Sequence, residues 1–135
     1  MMLRKLLDTP NWRVMCSAAL LVLLAALFAG GAQPVAVGLI KEPWDKLAHA
    51  TVFAVLAALL AMALHDRSAS PNRSLGATHA QVAAVVLAAL AAVTDELQQA
   101  TLPGRVAGYD DLLADGLGIA LGLLCVRWLW RRFAR

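Results

Sequence analysis

The sequence predicts an all-α integral membrane protein, a four-helix bundle with its N and C termini in the cytosol. Three observations predict it. The 135 residues are 61% hydrophobic, with a mean hydropathy of +0.68, far above the apolar share of an ordinary soluble domain. Apolar runs recur four times, each near the length of about 20 residues that a helix rising 1.5 Å per residue needs to cross a hydrocarbon core about 30 Å thick. The charges, finally, are sorted by side. With the N terminus inside, Arg4, Lys5, Arg13, Arg67, Arg73, Arg127, Arg131, Arg132 and Arg135 are cytosolic and only Lys41, Lys46 and Arg105 lie outside, the positive-inside pattern.

The first helix is expected over about 14–32, from VMCSAALLVLLAALF into AGGA, with Trp12 at the inner boundary, where amphipathic rings settle. The same stretch also fits a secretory signal with a small-residue cleavage site near Ala32, although its n-region is long. The second helix is expected over about 44–64, opening at Trp44 on the outer side. His65 to Thr78, HDRSASPNRSLGAT, is a polar, turn-rich inner connector. Its Asn72-Arg73-Ser74 sequon faces the cytosol and carries no glycan. Helix three is expected over about 79–100, stopped by Pro103-Gly104. Helix four is expected over about 111–130, with Trp128 and Trp130 at the inner boundary. Cys16 and Cys125 fall near inner ends, on the reducing side, and read as small apolar residues. The whole chain, 1–135, reads as one domain without repeats. A phosphate loop, a CxxC pair and a nucleic-acid module are all missing, so the pI of about 9.3 reports topology and no nucleic-acid partner.

The acids run the other way. Glu42, Asp45, Asp95, Glu96, Asp110, Asp111 and Asp115 are on the outer side and only Asp8 and Asp66 inside, so any site is acidic and faces outward. Counted from the inner flanks, His49, Asp95 and Asp115 each stand sixteen residues along their helices, or about 24 Å. That places them at one level, below the outer surface of the core. An ionised group at mid-membrane costs about 2.5–3.5 kcal/mol on insertion scales, so such residues need partners or water and are usually functional.

Helical spacing supplies the partners. Asp45, His49 and Phe53 recur every four residues on one face, with Lys46 beside them as an interfacial anchor or counter-ion. Asp95 with Gln98 and Gln99, or Glu96 with Gln99, forms a polar face at the outer end of helix three, and the TLPGR turn aims Arg105 back over the helix ends. There Arg105 with Glu96 and Asp111 forms either an ion-pair lock or a site. Asp111, Asp115, Gly118 and Gly122 make one stripe on helix four, whose glycines admit another helix at close range. Asp110 reads as a solvated residue at a helix start, where the dipole favours an acid.

These motifs, in this order, resemble the VanZ-like family of small bacterial membrane proteins: Asp45-Lys46-x-x-His49, Glu96-x-x-Gln99, Pro103-Gly104-Arg105, Asp111, then Asp115, Gly118 and Gly122. The resemblance spans about Trp44 to Leu124. It departs at Ala50, where relatives commonly carry an aromatic, and at Asp115, where they commonly carry asparagine. The resemblance implies a multi-pass protein of the bacterial cytoplasmic membrane, tied to the cell envelope and to teicoplanin-type glycopeptide susceptibility.

The ligand-binding candidates are therefore Asp45, Lys46, His49, Asp95, Glu96, Gln99, Arg105, Asp111 and Asp115. The leading expectation is a protein that binds or shields the head groups of envelope lipids or glycopeptides, without turnover. One alternative is a membrane-embedded hydrolase or transferase acting on a lipid head group, with His49 as base and Glu96 or Asp111 as acid or orienting group. Thr51, Thr94 and Thr101 lack the spacing of a nucleophile in a triad. Another alternative is a structural partner of a second membrane protein or of a second copy. No cofactor is expected. His49, Asp95, Glu96 and Asp115 are ligand types without a signature such as HExxH, so no metal centre is expected either.

Overall fold

The computed structural model describes residues 11–65, 73–105 and 107–133. Arg4, Lys5, Arg67 and Arg135 of the expected inner charge set lie outside them. The described residues are all-α, with α1 at Trp12–Ala25, α2 at Trp44–Leu64, α3 at Arg73–Ala100 and α4 at Tyr109–Phe133. All four runs contain helices long and apolar enough to span a bilayer.

Three helices depart from the sequence reading. Helix α1 opens at Trp12, with the Met15 amide donating to the Asn11 carbonyl at 3.0 Å, and passes after Ala25 into a wider π-type turn over Ala26–Gly30. Helix α3 begins at Arg73, so the expected connector ends early. Pro71 and Asn72 precede that start, and the single Gly76 costs a helix only about 1 kcal/mol. Helix α4 extends two residues further at its start and three further at its end than expected, to Tyr109 and Phe133.

The helices run alternately up and down, so α2 and α4 point the same way and pack as parallel neighbours. Gly118 and Gly122 create that contact. A Cβ on Gly118 would overlap the Ala50 carbonyl and lie 2.9 Å from the Ala50 Cα. One at Gly122 would do the same to Ala54, 3.0 Å from its Cα. The small-residue stripe is therefore already filled by α2 of the same chain and is not presented to a partner helix. Below it, Phe53, Leu56, Ala57, Leu60 and Ala61 of α2 meet Ile119 and Val126 of α4 and the alanine stripe Ala84, Ala88, Ala92 of α3. Helix α1 leans on this core through Leu20, Leu23, Leu24 and Leu27. Leu90 and Leu97 of α3, and Leu113, Leu117, Leu121 and Leu124 of α4, stay exposed, as a lipid-facing surface requires. Both cysteines are free.

Candidate functional site

The end of the bundle where α2 and α4 begin and α3 finishes collects the polar residues. Two rungs join α2 to α4. In the outer one, Lys46 Nζ stands 2.5 Å from Asp111 Oδ1, 2.8 Å from Asp110 Oδ2 and 3.1 Å from Asp45 Oδ2. One turn deeper, His49 Nδ1 lies 2.9 Å from Asp115 Oδ1. The His49 and Phe53 rings stack at 6.5 Å, so the predicted shared face exists. Helical spacing explains both rungs: 46 and 49 lie one turn apart on α2, as do 111 and 115 on α4, and parallel helices keep them in step. The glycine contacts one and two turns of α4 beyond Asp115 hold the backbones close enough for short side chains to meet.

Helix α3 brings the remaining acids. Glu96 is buried, its Oε2 accepting the Gly108 amide at 2.9 Å. Gly108 immediately precedes α4, and its carbonyl accepts from the Leu112 amide, so one carboxylate oxygen of α3 ties down the start of α4. Asp95 is also buried; its Oδ2 accepts from Gln99 Nε2 at 2.8 Å. Gln99 Oε1 in turn accepts from Arg105 Nη1 at 3.1 Å, and Arg105 Nη2 donates to the Ala36 carbonyl at 3.1 Å and the Gly31 carbonyl at 3.5 Å. The predicted stop after α3 is a type II turn. The Arg105 amide bonds back to the Leu102 carbonyl at 3.2 Å, Pro103 occupies the second position, and Gly104 takes φ 80° at the third.

Several sequence expectations change here. Arg105 does not pair with Glu96 or Asp111. The turn swings its guanidinium onto Gln99 and the loop after α1, while Glu96 takes a backbone amide and Asp111 takes Lys46. Asp45 does not hold His49, because Lys46 lies closer to Asp45 and Asp115 closer to the imidazole. Of the two alternatives for Gln99, Asp95 is its partner. Gln98 instead donates to the Phe28 carbonyl in the π-type turn at 3.0 Å, steadying the end of α1. Asp110 is exposed, as a helix-start acid should be, yet joins Lys46. The Thr51, Thr94 and Thr101 hydroxyls all donate to backbone carbonyls three or four residues earlier, so none is set up as a nucleophile.

A cleft of about 320 Å³ opens among these groups. Asp45, His49, Gln99, Arg105 and Asp111 form its polar side, and Leu39, Ile40 and Val52 its apolar side. Sequence reasoning missed the loop that supplies Ala36, Gly38, Leu39 and Ile40. The available signal was Pro34 followed by Gly38, which takes φ 70°, the punctuation of a structured turn. Asp95, Glu96 and Asp115 are not on the cleft wall. Glu96 and Asp115 meet beneath it, one ligand-type atom from each of His49, Glu96 and Asp115 lying within 4.8 Å of the other two.

A family model described as VanZ/LLP1 matches residues 4–131, a wider span than the motifs alone cover. No curated protein and no solved structure matches the chain.

Proposed function

The chain belongs to the VanZ/LLP1 family, and from that premise we propose that it is a head-group-binding protein of the bacterial cell envelope. One observation carries this reading, the cleft among the outer helix ends. Its volume is within the roughly 300–1,000 Å³ of small-molecule sites, and its lining is divided by chemistry. Arg105 offers a planar fork of donors to phosphate or carboxylate oxygens, Asp45 and Asp111 accept from hydroxyl or amine groups, and Leu39, Ile40 and Val52 take an apolar segment. A ligand half polar and half apolar fits such a wall, which is the make-up of a lipid head group or a lipoglycopeptide. In this reading the termini are cytosolic and the cleft faces outward in the cytoplasmic membrane, as the charge asymmetry favours. Binding there shields the head group, and this is how the protein affects glycopeptide susceptibility.

The test is thermal stability in nanodiscs, titrated with envelope lipids and with teicoplanin-type glycopeptides. At least one ligand raises the melting temperature of the wild-type protein, and Arg105→Ala removes the rise. If no ligand stabilises the wild type, the binding reading is wrong.

A second reading rests on the His49–Asp115 contact of 2.9 Å. An imidazole held through Nδ1 by a buried carboxylate keeps Nε2 for substrate, the arrangement of a general base. Glu96 lies within reach as a second carboxyl group. Turnover of a lipid head group by purified protein, abolished in His49→Ala, distinguishes this from binding alone.

A further inference from the structure

We propose that His49, Glu96 and Asp115 bind a divalent transition-metal ion, of the Zn²⁺ or Mn²⁺ class, on the floor of the cleft. The three residues come from α2, α3 and α4, so the ion joins three of the four helices.

Two independent observations lead there. The first is donor geometry. Each residue places a ligand-type atom within 4.8 Å of the other two, and the His49 Nδ1 to Asp115 Oδ1 separation is 2.9 Å. Two ligands at about 2.1 Å from one ion, at right angles, stand about 3.0 Å apart. The contact that a proton bridges is thus also the edge of a coordination shell, and an ion replaces that proton without moving either side chain far. The second is unmet polar demand. Asp115 is fully buried and Glu96 is only 5% exposed. Asp115 Oδ2 and Glu96 Oε1 are both buried with no hydrogen-bond partner, although a carboxylate oxygen so placed demands a donor or a cation.

The nearby cations of the chain are engaged elsewhere. Lys46 is held by Asp45, Asp110 and Asp111, and both Nη atoms of Arg105 by Gln99 and two carbonyls. The buried Arg105 Nε has no partner among the described residues and reaches neither Glu96 nor Asp115. Among the described residues neither Glu96 nor Asp115 pairs with lysine or arginine. Once deprotonated for coordination, two carboxylates and a neutral imidazole supply two negative charges, the complement of a divalent ion. One nitrogen with carboxylate oxygens is a donor set for Zn²⁺ or Mn²⁺. The orientation a metal ligand needs is supplied as well: the Gly108 amide donates to Glu96 Oε2 and fixes the carboxylate. The three positions are scattered over 67 residues of sequence, which is why no spacing motif announces them. The inference does not rest on the head-group reading, because it is argued from donor geometry and unmet carboxylate oxygens, and of the three ligands only His49 also lines the cleft.

The experiment uses the full chain in detergent, stripped with chelator and titrated separately with Zn²⁺ and Mn²⁺ by calorimetry, with Mn²⁺ also followed by electron paramagnetic resonance. The expected result is one ion per chain and a higher melting temperature with metal than with chelator. Asp115→Asn and His49→Ala each weaken binding by at least about tenfold, and Glu42→Gln, an exposed outer carboxylate, leaves it unchanged. Should Asp115→Asn fail to fold, Glu96→Gln replaces it, since it keeps an oxygen for the Gly108 amide. The proposal is overturned if the wild type takes up neither metal, or if uptake is the same in the His49, Glu96 and Asp115 variants. Lipid binding measured in chelator tests the cleft separately.

Discussion

Gly118→Ala asks whether close approach of α2 and α4 holds the molecule and its site together. The added Cβ would sit 2.9 Å from the Ala50 Cα and overlap the Ala50 carbonyl, whereas non-bonded carbons settle at about 3.5–4.0 Å. The clash is with backbone, so no side chain can rotate away, and the helices must part by about 1 Å, the carbonyl overlap setting the distance. Overpacking of this kind costs about 1–3 kcal/mol, which in a chain of this length lowers the melting temperature by on the order of 5–10 °C. Gly116 is the internal control. It lies on the same helix two residues earlier, and nothing is within 4 Å of its added Cβ. Gly116→Ala thus gains the helix preference of alanine, about 0.5–1 kcal/mol, and melts slightly higher. Gly122→Ala repeats the Gly118 effect against Ala54, and the double variant loses less than the sum, because one displacement relieves both clashes. The assay is thermal unfolding in one detergent, read by tryptophan fluorescence. If Gly118→Ala melts at or above Gly116→Ala, α2 and α4 do not meet through this stripe, and the His49–Asp115 and Lys46–Asp111 rungs lose their basis.

Lys46→Met leaves Asp111 buried without its counter-ion and destabilises the protein by about 1–3 kcal/mol, the cost of a buried polar group left unsatisfied; Asp110→Asn, on an exposed partner, costs less, and denaturation of the two variants side by side checks the order. In chelator, Glu96→Gln raises the melting temperature, since it removes a negative charge that has no cationic partner in the bundle; a fall of several degrees would make Glu96 a structural lock instead. Gly104→Ala forces a side chain into φ 80° and within 3.2 Å of Val37, costing about 1–2 kcal/mol, and a matching loss of Arg105-dependent ligand stabilisation shows that the turn aims the guanidinium. A C-terminal green fluorescent protein fusion is bright and an alkaline phosphatase fusion inactive, and the opposite pair reverses the orientation.

Four apolar runs and a count of residues per bilayer thickness were enough to determine the number of helices and roughly where each lies, because lipid forces every span to satisfy its own backbone. Helix ends were less legible, and α3 starts six residues before the expected 79, at Arg73. Periodicity likewise placed Asp111, Asp115, Gly118 and Gly122 on one stripe and His49 on the face of Phe53, since spacing within a helix is a property of the sequence alone. What it left undecided was every contact between helices. Whether Asp115 meets His49 or solvent depends on the register of α2 against α4, and that register is set by two glycines closing on the Ala50 and Ala54 backbones. Arg105 looked like the partner of Glu96 and Asp111 because all three are charged and near in sequence. A type II turn sends it to the loop after α1, and Lys46, 65 residues from Asp111, takes its place. The same holds for the buried carboxylates. Sequence told that acids enter the membrane, but only tertiary packing decided which receive a cation from the chain and which leave an oxygen unmet, because charge neutralisation acts over a few ångströms in space with no regard for distance along the chain.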